Sequence, residues 1–258
     1  MLELNKAYLG DCLEVMKQID NQSIDMILCD PPYGITACKW DSIIPLEPMW
    51  EQLKRIIKPN GAIVLTASQP FTSALVMSNL AMFKYCWYWN KNSTSGYVNA
   101  KNKPMNTIED IVVFSFGTCA NKSNKKMKYF PQGLILFGKE IKRGNKQSKE
   151  NTYWRPSTKS NTNFQEFTNY PRNYLEFQYQ SGSVHPTQKP VALFEYLIKT
   201  YTSEGDLVLD NCAGSGTTGI ACINTNRNYI LIEKEEKYVE IAKKRIQDRI
   251  KEKATLLF

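Results

Sequence analysis

Apolar residues recur along this chain in two alternating rhythms, a helical spacing and short unbroken runs. After the short apolar pair Tyr8–Leu9, Leu13, Met16 and Ile19 share one face of a helix predicted over Cys12–Ile19. The run from Asp25 to Cys29 stops at Asp30-Pro31-Pro32-Tyr33-Gly34, the pattern of a buried parallel strand ending in a turn. Trp50, Leu53 and Ile57 define a helix over Pro48–Ile57, Pro59-Asn60-Gly61 reads as the turn ending it, and Ala62–Thr66 as the next strand. A helix over Phe71–Leu80 follows. Strands over Tyr85–Trp89 and Ile111–Phe116 are separated by a polar connection, Lys91–Ile108. From Gly117 to Ser183 the rhythm breaks into Asn, Lys, Ser and Gly with scattered aromatics. It then resumes as helix Val191–Thr200, strand Leu207–Asp210, helix Thr217–Asn224, strand Tyr229–Ile232 and helix Glu236–Ile250. Strands alternating with helices predict an α/β fold, a doubly wound and mainly parallel sheet interrupted by an insert.

Composition adds one feature. Residues 120–180 carry 12 Lys/Arg against 4 Asp/Glu, and this segment accounts for the whole net charge of +8. The same segment holds 11 of the 30 aromatic residues. Basic groups interleaved with aromatics suit a polyanion whose bases can be stacked, and a solvated Lys- and Asn-rich excursion is the bland alternative. Lys122, Lys125, Lys126, Lys128, Lys142, Arg143 and Arg155 are the expected phosphate contacts. Seven cysteines without a Cys-x-x-Cys pair argue against a disulfide framework or a zinc knuckle. Without a signal-like N-terminus or a membrane-length apolar run, the expected setting is the cytoplasm, with no membrane partner.

Two motifs carry chemistry. Asp210-Asn-Cys-Ala-Gly-Ser-Gly-Thr-Thr-Gly219 follows a predicted strand and opens a helix. Gly214, Gly216 and Gly219 make a G-x-G-x-x-G pattern, and Glu233 ends the next strand 19 residues after Gly214. Side-chain-free positions let a nucleoside cofactor lie against the backbone while the acid takes a ribose diol. Asp30-Pro31-Pro32-Tyr33 offers a carboxylate, an uncommitted carbonyl and an aromatic ring at a strand's carboxyl end, where open α/β sheets bind ligands. A planar amino group with two N–H donors suits that trio.

Taken together, these motifs resemble those of the DNA amino-methyltransferases of the N4-cytosine/N6-adenine family, in the permuted "beta" order with the catalytic motif first. The resemblance spans about residues 5–118 and 183–250. It implies a Rossmann-like S-adenosylmethionine-dependent methyltransferase fold, with a catalytic domain over 1–118 and 183–258 and a target recognition region over 119–182. It implies Asp30, Pro31, Pro32 and Tyr33 as catalytic residues, and no metal. S-adenosyl-L-methionine would meet Asp11, Asp30, Thr187, Lys189, Asp210, Cys212, Ala213, Gly214, Ser215, Gly216, Thr217, Thr218 and Glu233. The segment His185-Pro-Thr-Gln-Lys-Pro190 would close over its methionine end. Asn211 and Cys212 depart from the Pro and Phe common at those positions. The implied reaction is methyl transfer to the exocyclic N6 of a flipped adenine in double-stranded DNA, with RNA adenine N6 and DNA cytosine N4 as alternative targets. A homodimer and a separately encoded restriction endonuclease are the implied partners.

Overall fold

The computed structural model describes residues 2–34, 42–142, 162–179 and 188–255. The chain divides into two compact units, one of residues 1–130 with 173–258 and one of 131–172.

In the larger unit, β1 (Lys6–Leu9) leads into α1 (Cys12–Val15), and β2 (Ile24–Cys29) is followed by α2 (Leu46–Ile56). Then come β3 (Ile57–Ala67), α3 (Phe71–Ser78), β4 (Phe83–Ser95) and β5 (Asn106–Phe114). In the smaller unit, β6 (Ile135–Lys142) pairs antiparallel with β7 (Thr162–Thr168). The larger unit resumes with β8 (Tyr174–Glu176), α4 (Val191–Tyr201), β9 (Leu207–Asp210), α5 (Thr217–Asn224), β10 (Asn228–Glu233) and α6 (Glu236–Thr255). Its eight strands lie in the order β1-β10-β9-β2-β3-β5-β4-β8. The first five are mutually parallel; β5 runs against β3, and β4 against β5.

Strand alternation sorts the core onto two faces. Ile27, Cys29, Ile63, Leu65, Val112 and Phe114 meet α1, α2 and α3 on one side. Met26, Leu28, Val64, Ile111 and Val113 meet α4, α5 and α6 on the other. Cys29 is accordingly a core thiol, pushed up to about 12 by burial. Trp87 and Trp89 share the second face and are both buried. Among the described residues, no helix is long and apolar enough to cross a membrane.

Three segments differ from the sequence expectation for physical reasons. Pro59-Asn60-Gly61 is a turn signal, yet it lies inside β3. The pairing with β2 slips there, from Ile24↔Ile57 to Met26↔Ala62, so the three residues bulge out of the ladder. Gly61 is required because a Cβ would sit 2.7 Å from the Asp25 carbonyl. The polar connection 91–108 is strand at both ends: its side chains lack the apolar alternation by which half-buried strands are read, but β4 runs on to Ser95 and β5 starts at Asn106, and the two pair as far as Ser95↔Asn106. Finally, residues 117–130 pack on the larger unit instead of joining the insert. Met127 enters its core, and the Phe130 N–H donates to the Thr200 carbonyl at 2.7 Å.

Candidate active site

β2 and β9 are neighbours whose chains leave in opposite directions, β2 toward β3 and β9 toward β10. Their carboxyl ends form a topological switch point, where two loops part and leave a crevice. Asp30 and Asp210, 180 positions apart in sequence, therefore border one cavity. This cavity of about 710 Å³ is closed by Gly10–Leu13 after β1, by Glu233 at the end of β10, and by the β4–β5 pair.

At the catalytic motif, Asp30 is held from several sides. The Tyr33 hydroxyl donates to Oδ1 at 2.7 Å, and the Thr66 hydroxyl donates to the same oxygen. The Lys189 ammonium donates to Oδ2 at 2.7 Å. Lys189 also lies 3.4 Å from Glu109 Oε2, while Lys91 pairs with Glu109 Oε1 at 3.1 Å. Burial alone would lower the Lys189 pKa, but the charges of Asp30 and Glu109 outweigh it and raise it. The Tyr33 ring stacks on Phe71 with centroids 5.5 Å apart, and burial holds its phenol well above the ordinary value. Thr66, Lys91 and Glu109 are site residues that motif reading misses. Their signal in the sequence is faint: a hydroxyl inside an apolar run, and charges flanking one.

The glycine loop divides its labour. Gly214 has φ +50° and nothing within 4 Å of where a Cβ would be, so its backbone is bare. Its N–H donates to Glu233 Oε2 at 2.7 Å, and Glu233 Oε1 accepts from the Glu235 N–H at 2.8 Å. Asp210 is buried and pushed up to about 7, chiefly by burial, with Thr218 and the Cys212 N–H pulling it down. Cys212, Ala213, Ser215 and Thr217 line the cavity. Two expected cofactor contacts do not. Gly216 faces α6, where a Cβ would lie 2.8 Å from the Ala242 Cβ. Thr218 is fully buried and spends its hydroxyl on Asp210 Oδ2, so it orients that carboxylate. Asp11 lines the cavity and caps α1, accepting from the Leu13 N–H at 2.8 Å. Arg245, on α6, donates to the Ser215 carbonyl at 2.6 Å and braces the loop. Ser215 in turn donates to Gln188 at 3.1 Å. Thr187 and His185 lie outside the described residues.

These residues fit a cationic nucleoside cofactor. Asp11, Asp30, Asp210 and Glu233 line the cavity together with a bare backbone at Gly214. The buried Asn211 Oδ1 has no hydrogen-bond partner in the protein.

Four of the expected phosphate contacts, Lys122, Lys125, Lys126 and Lys128, lie on the loop after β5. Lys128 is a structural cation: it bridges Asp25 at 3.0 Å and Asp206 at 2.7 Å, and its N–H donates to the Asn60 carbonyl. Asp25 and Asp206 stand at the amino ends of β2 and β9, the opposite end of the sheet from the cavity. Two carboxylates gathered there by strand pairing draw the lysine in. Lys122, Lys125 and Lys126 are exposed on the same loop, tied to it through Thr118. Lys142 ends β6 in the smaller unit, while Arg143 and Arg155 lie outside the described residues.

Comparison with known proteins agrees with this geometry. A family model described as DNA methylase matches residues 24–244. The type II methyltransferase M2.MboI of Moraxella bovis is 30% identical over 93% of this chain and 87% of its own length. The DNA adenine methyltransferase YhdJ of Escherichia coli (strain K12) is 29% identical, over 92% and 81%. Among solved structures, the M1.HpyAVI–SAM complex superposes with a TM-score of 0.61 at 27% identity, covering 93% of this chain and 98% of that one. The cytosine-N4-specific PvuII methyltransferase, at 17% identity and a TM-score of 0.64, shares the fold.

Proposed function

Because this chain belongs to the N6/N4 DNA methylase family, we propose that it methylates the exocyclic N6 of adenine in double-stranded DNA, using S-adenosyl-L-methionine. The observation that carries the proposal is the meeting of Asp30-Pro31-Pro32-Tyr33 and the Gly214 loop in one cavity. When bound, S-adenosylmethionine would supply a methyl group on a positively charged sulfur, which keeps the S–C bonding pair as the methyl is transferred and leaves as the neutral thioether.

The protein's own part is to present the amino group. A base inside a duplex is out of reach, so the target adenine is flipped out, at a cost of a few kcal/mol in lost stacking. An aromatic partner such as Tyr33 returns about 1–3 kcal/mol of that. The N6 lone pair is delocalised into the ring and is a weak nucleophile. The Asp30 carboxylate accepts one N–H and the Pro31 carbonyl the other, which favours a pyramidal nitrogen and frees the lone pair for the new N–C bond. As that bond forms, the surplus proton on N6 leaves along its hydrogen bond to Asp30. A carboxylate already fixed by Tyr33, Thr66 and Lys189 needs no reorganisation as charge develops. Aspartate before Pro-Pro-Tyr, usual in the adenine enzymes of the resembled family, and the likeness to an adenine methyltransferase favour adenine over cytosine.

Within this reading the smaller unit contributes to target recognition, and the setting is the bacterial cytoplasm, the chain being encoded by the bacterium or by a phage. A homodimer and a separately encoded restriction endonuclease are further partners carried by the resemblance. The test is nucleoside analysis of unmethylated plasmid DNA after incubation with the purified chain and labelled cofactor. N6-methyladenine is expected. N4-methylcytosine, or label transferred only to RNA, would overturn the assignment.

A further inference from the structure

The β4–β5 pair does more than wall the cavity. Ser93 and Ser95 from β4, with Asn106 and Ile108 from β5, line the cavity, so the tip that joins the two strands extends beyond its wall. From residue 91 to 108 the chain contains no acid and three lysines, of which Lys91 is paired with Glu109. At the apex, Gly96 turns the chain with φ +87° into a short 3-10 turn over Tyr97–Asn99. Tyr97 and Val98, adjacent there, are 78% and 76% exposed. A lone exposed apolar residue needs no explanation, but a pair at the apex of an acid-free arm whose strands line the active-site cavity does. Nothing within the described residues covers it.

We propose that this arm is a second DNA-contacting element, separate from the basic insert, with Tyr97 and Val98 as an apolar wedge and Lys101 and Lys103 against phosphates. It rests on the DNA methylase reading above. Flipping a base leaves a gap in the stack, and proteins that unstack DNA commonly push an apolar side chain between base steps. Tyr97 and Val98 have the chemistry to fill such a gap, and Lys101 and Lys103, exposed on the same tip, have the charge to neutralise the flanking backbone.

The experiment compares the wild-type chain with Y97A/V98A and K101Q/K103Q. The readouts are cofactor affinity by calorimetry, duplex binding by anisotropy, methyl incorporation into unmethylated plasmid DNA, and fluorescence of 2-aminopurine replacing the target adenine in a mapped site. Cofactor affinity within twofold of wild type is expected in both variants. Y97A/V98A should raise the DNA KM at least tenfold and suppress the 2-aminopurine signal. K101Q/K103Q should flatten the salt dependence of duplex binding by up to ~0.9 in log–log slope for each phosphate no longer neutralised. Wild-type duplex binding and flipping in both variants would overturn the proposal, as would a parallel loss of cofactor affinity, which would make the arm part of the cofactor pocket. If the wild-type chain methylates no DNA, the functional reading fails by itself, and the anisotropy arm still decides whether the tip contacts duplex.

Discussion

Asp30 is the residue on which the chemistry turns, and its neighbours determine how it responds to substitution. Asp30→Ala should abolish turnover while leaving cofactor affinity largely intact, because the cavity's glycine loop and Glu233 are untouched; single-turnover kinetics beside calorimetry checks this. Lys189 is nearly enclosed, with 6% of its side chain exposed, between Asp30 and Glu109. Replacing it with Met removes the cation from two adjoining carboxylates and should cost about 3 kcal/mol of stability, the low end for an uncompensated buried charge, read by denaturant melts. Asp210 gives a pH signature. Its folded pKa of about 7 lies above the ordinary 3.8, so burial favours the protonated form. The stability tied to that proton is fully present below about pH 4 and lost as pH rises through 7. Asp210→Asn should therefore lose less stability than wild type between pH 5 and pH 8 in thermal melts.

Helices and strands contribute by constraint. α5 is preceded by its cap residue Gly216, whose φ of +80° and closeness to Ala242 on α6 leave no space for a side chain. Gly216→Ala combines left-handed strain with overpacking and should lower stability by about 2–4 kcal/mol. Its effect on cofactor affinity should be secondary to that, since the residue does not line the cavity; melts and calorimetry on the same sample separate the two. The helices α4, α5 and α6, and the strands β9 and β10, are legible in the sequence to within a few residues because their apolar spacing is uninterrupted. The inner halves of β4 and β5 are legible too, but their outer halves are not, because those are mostly polar and backbone pairing leaves no period in such a sequence.

For the molecule as a whole, the placement of charge matters more than its total. The lysines of the 117–130 loop lie at the amino ends of the parallel strands, away from the cavity. Replacing Lys122, Lys125 and Lys126 together with Gln should leave the salt dependence of duplex binding unchanged. A flattened slope in that triple variant would return those lysines to the DNA interface.

Residues that act through near neighbours in the chain are readable from the amino-acid order alone. The 30–33 motif and the 210–219 loop each bring their chemistry and backbone constraints in consecutive positions, and strand–turn–helix rhythm places both at carboxyl ends. Local sequence carries local geometry, which suffices for a nucleoside-binding loop and an amino-binding turn; the cofactor and the reaction follow from the resemblance those motifs carry. The partners of Lys189, the bracing of the loop by Arg245, the burial of Thr218 against Asp210 and the capture of Lys128 by Asp25 and Asp206 depend on contacts between separate segments of the chain. Those contacts exist only once strands pair in the order β9-β2-β3-β5-β4. A charged side chain looks the same in sequence whether it faces solvent, phosphate or a buried carboxylate. Its role is set by the field of groups that folding brings within a few ångströms.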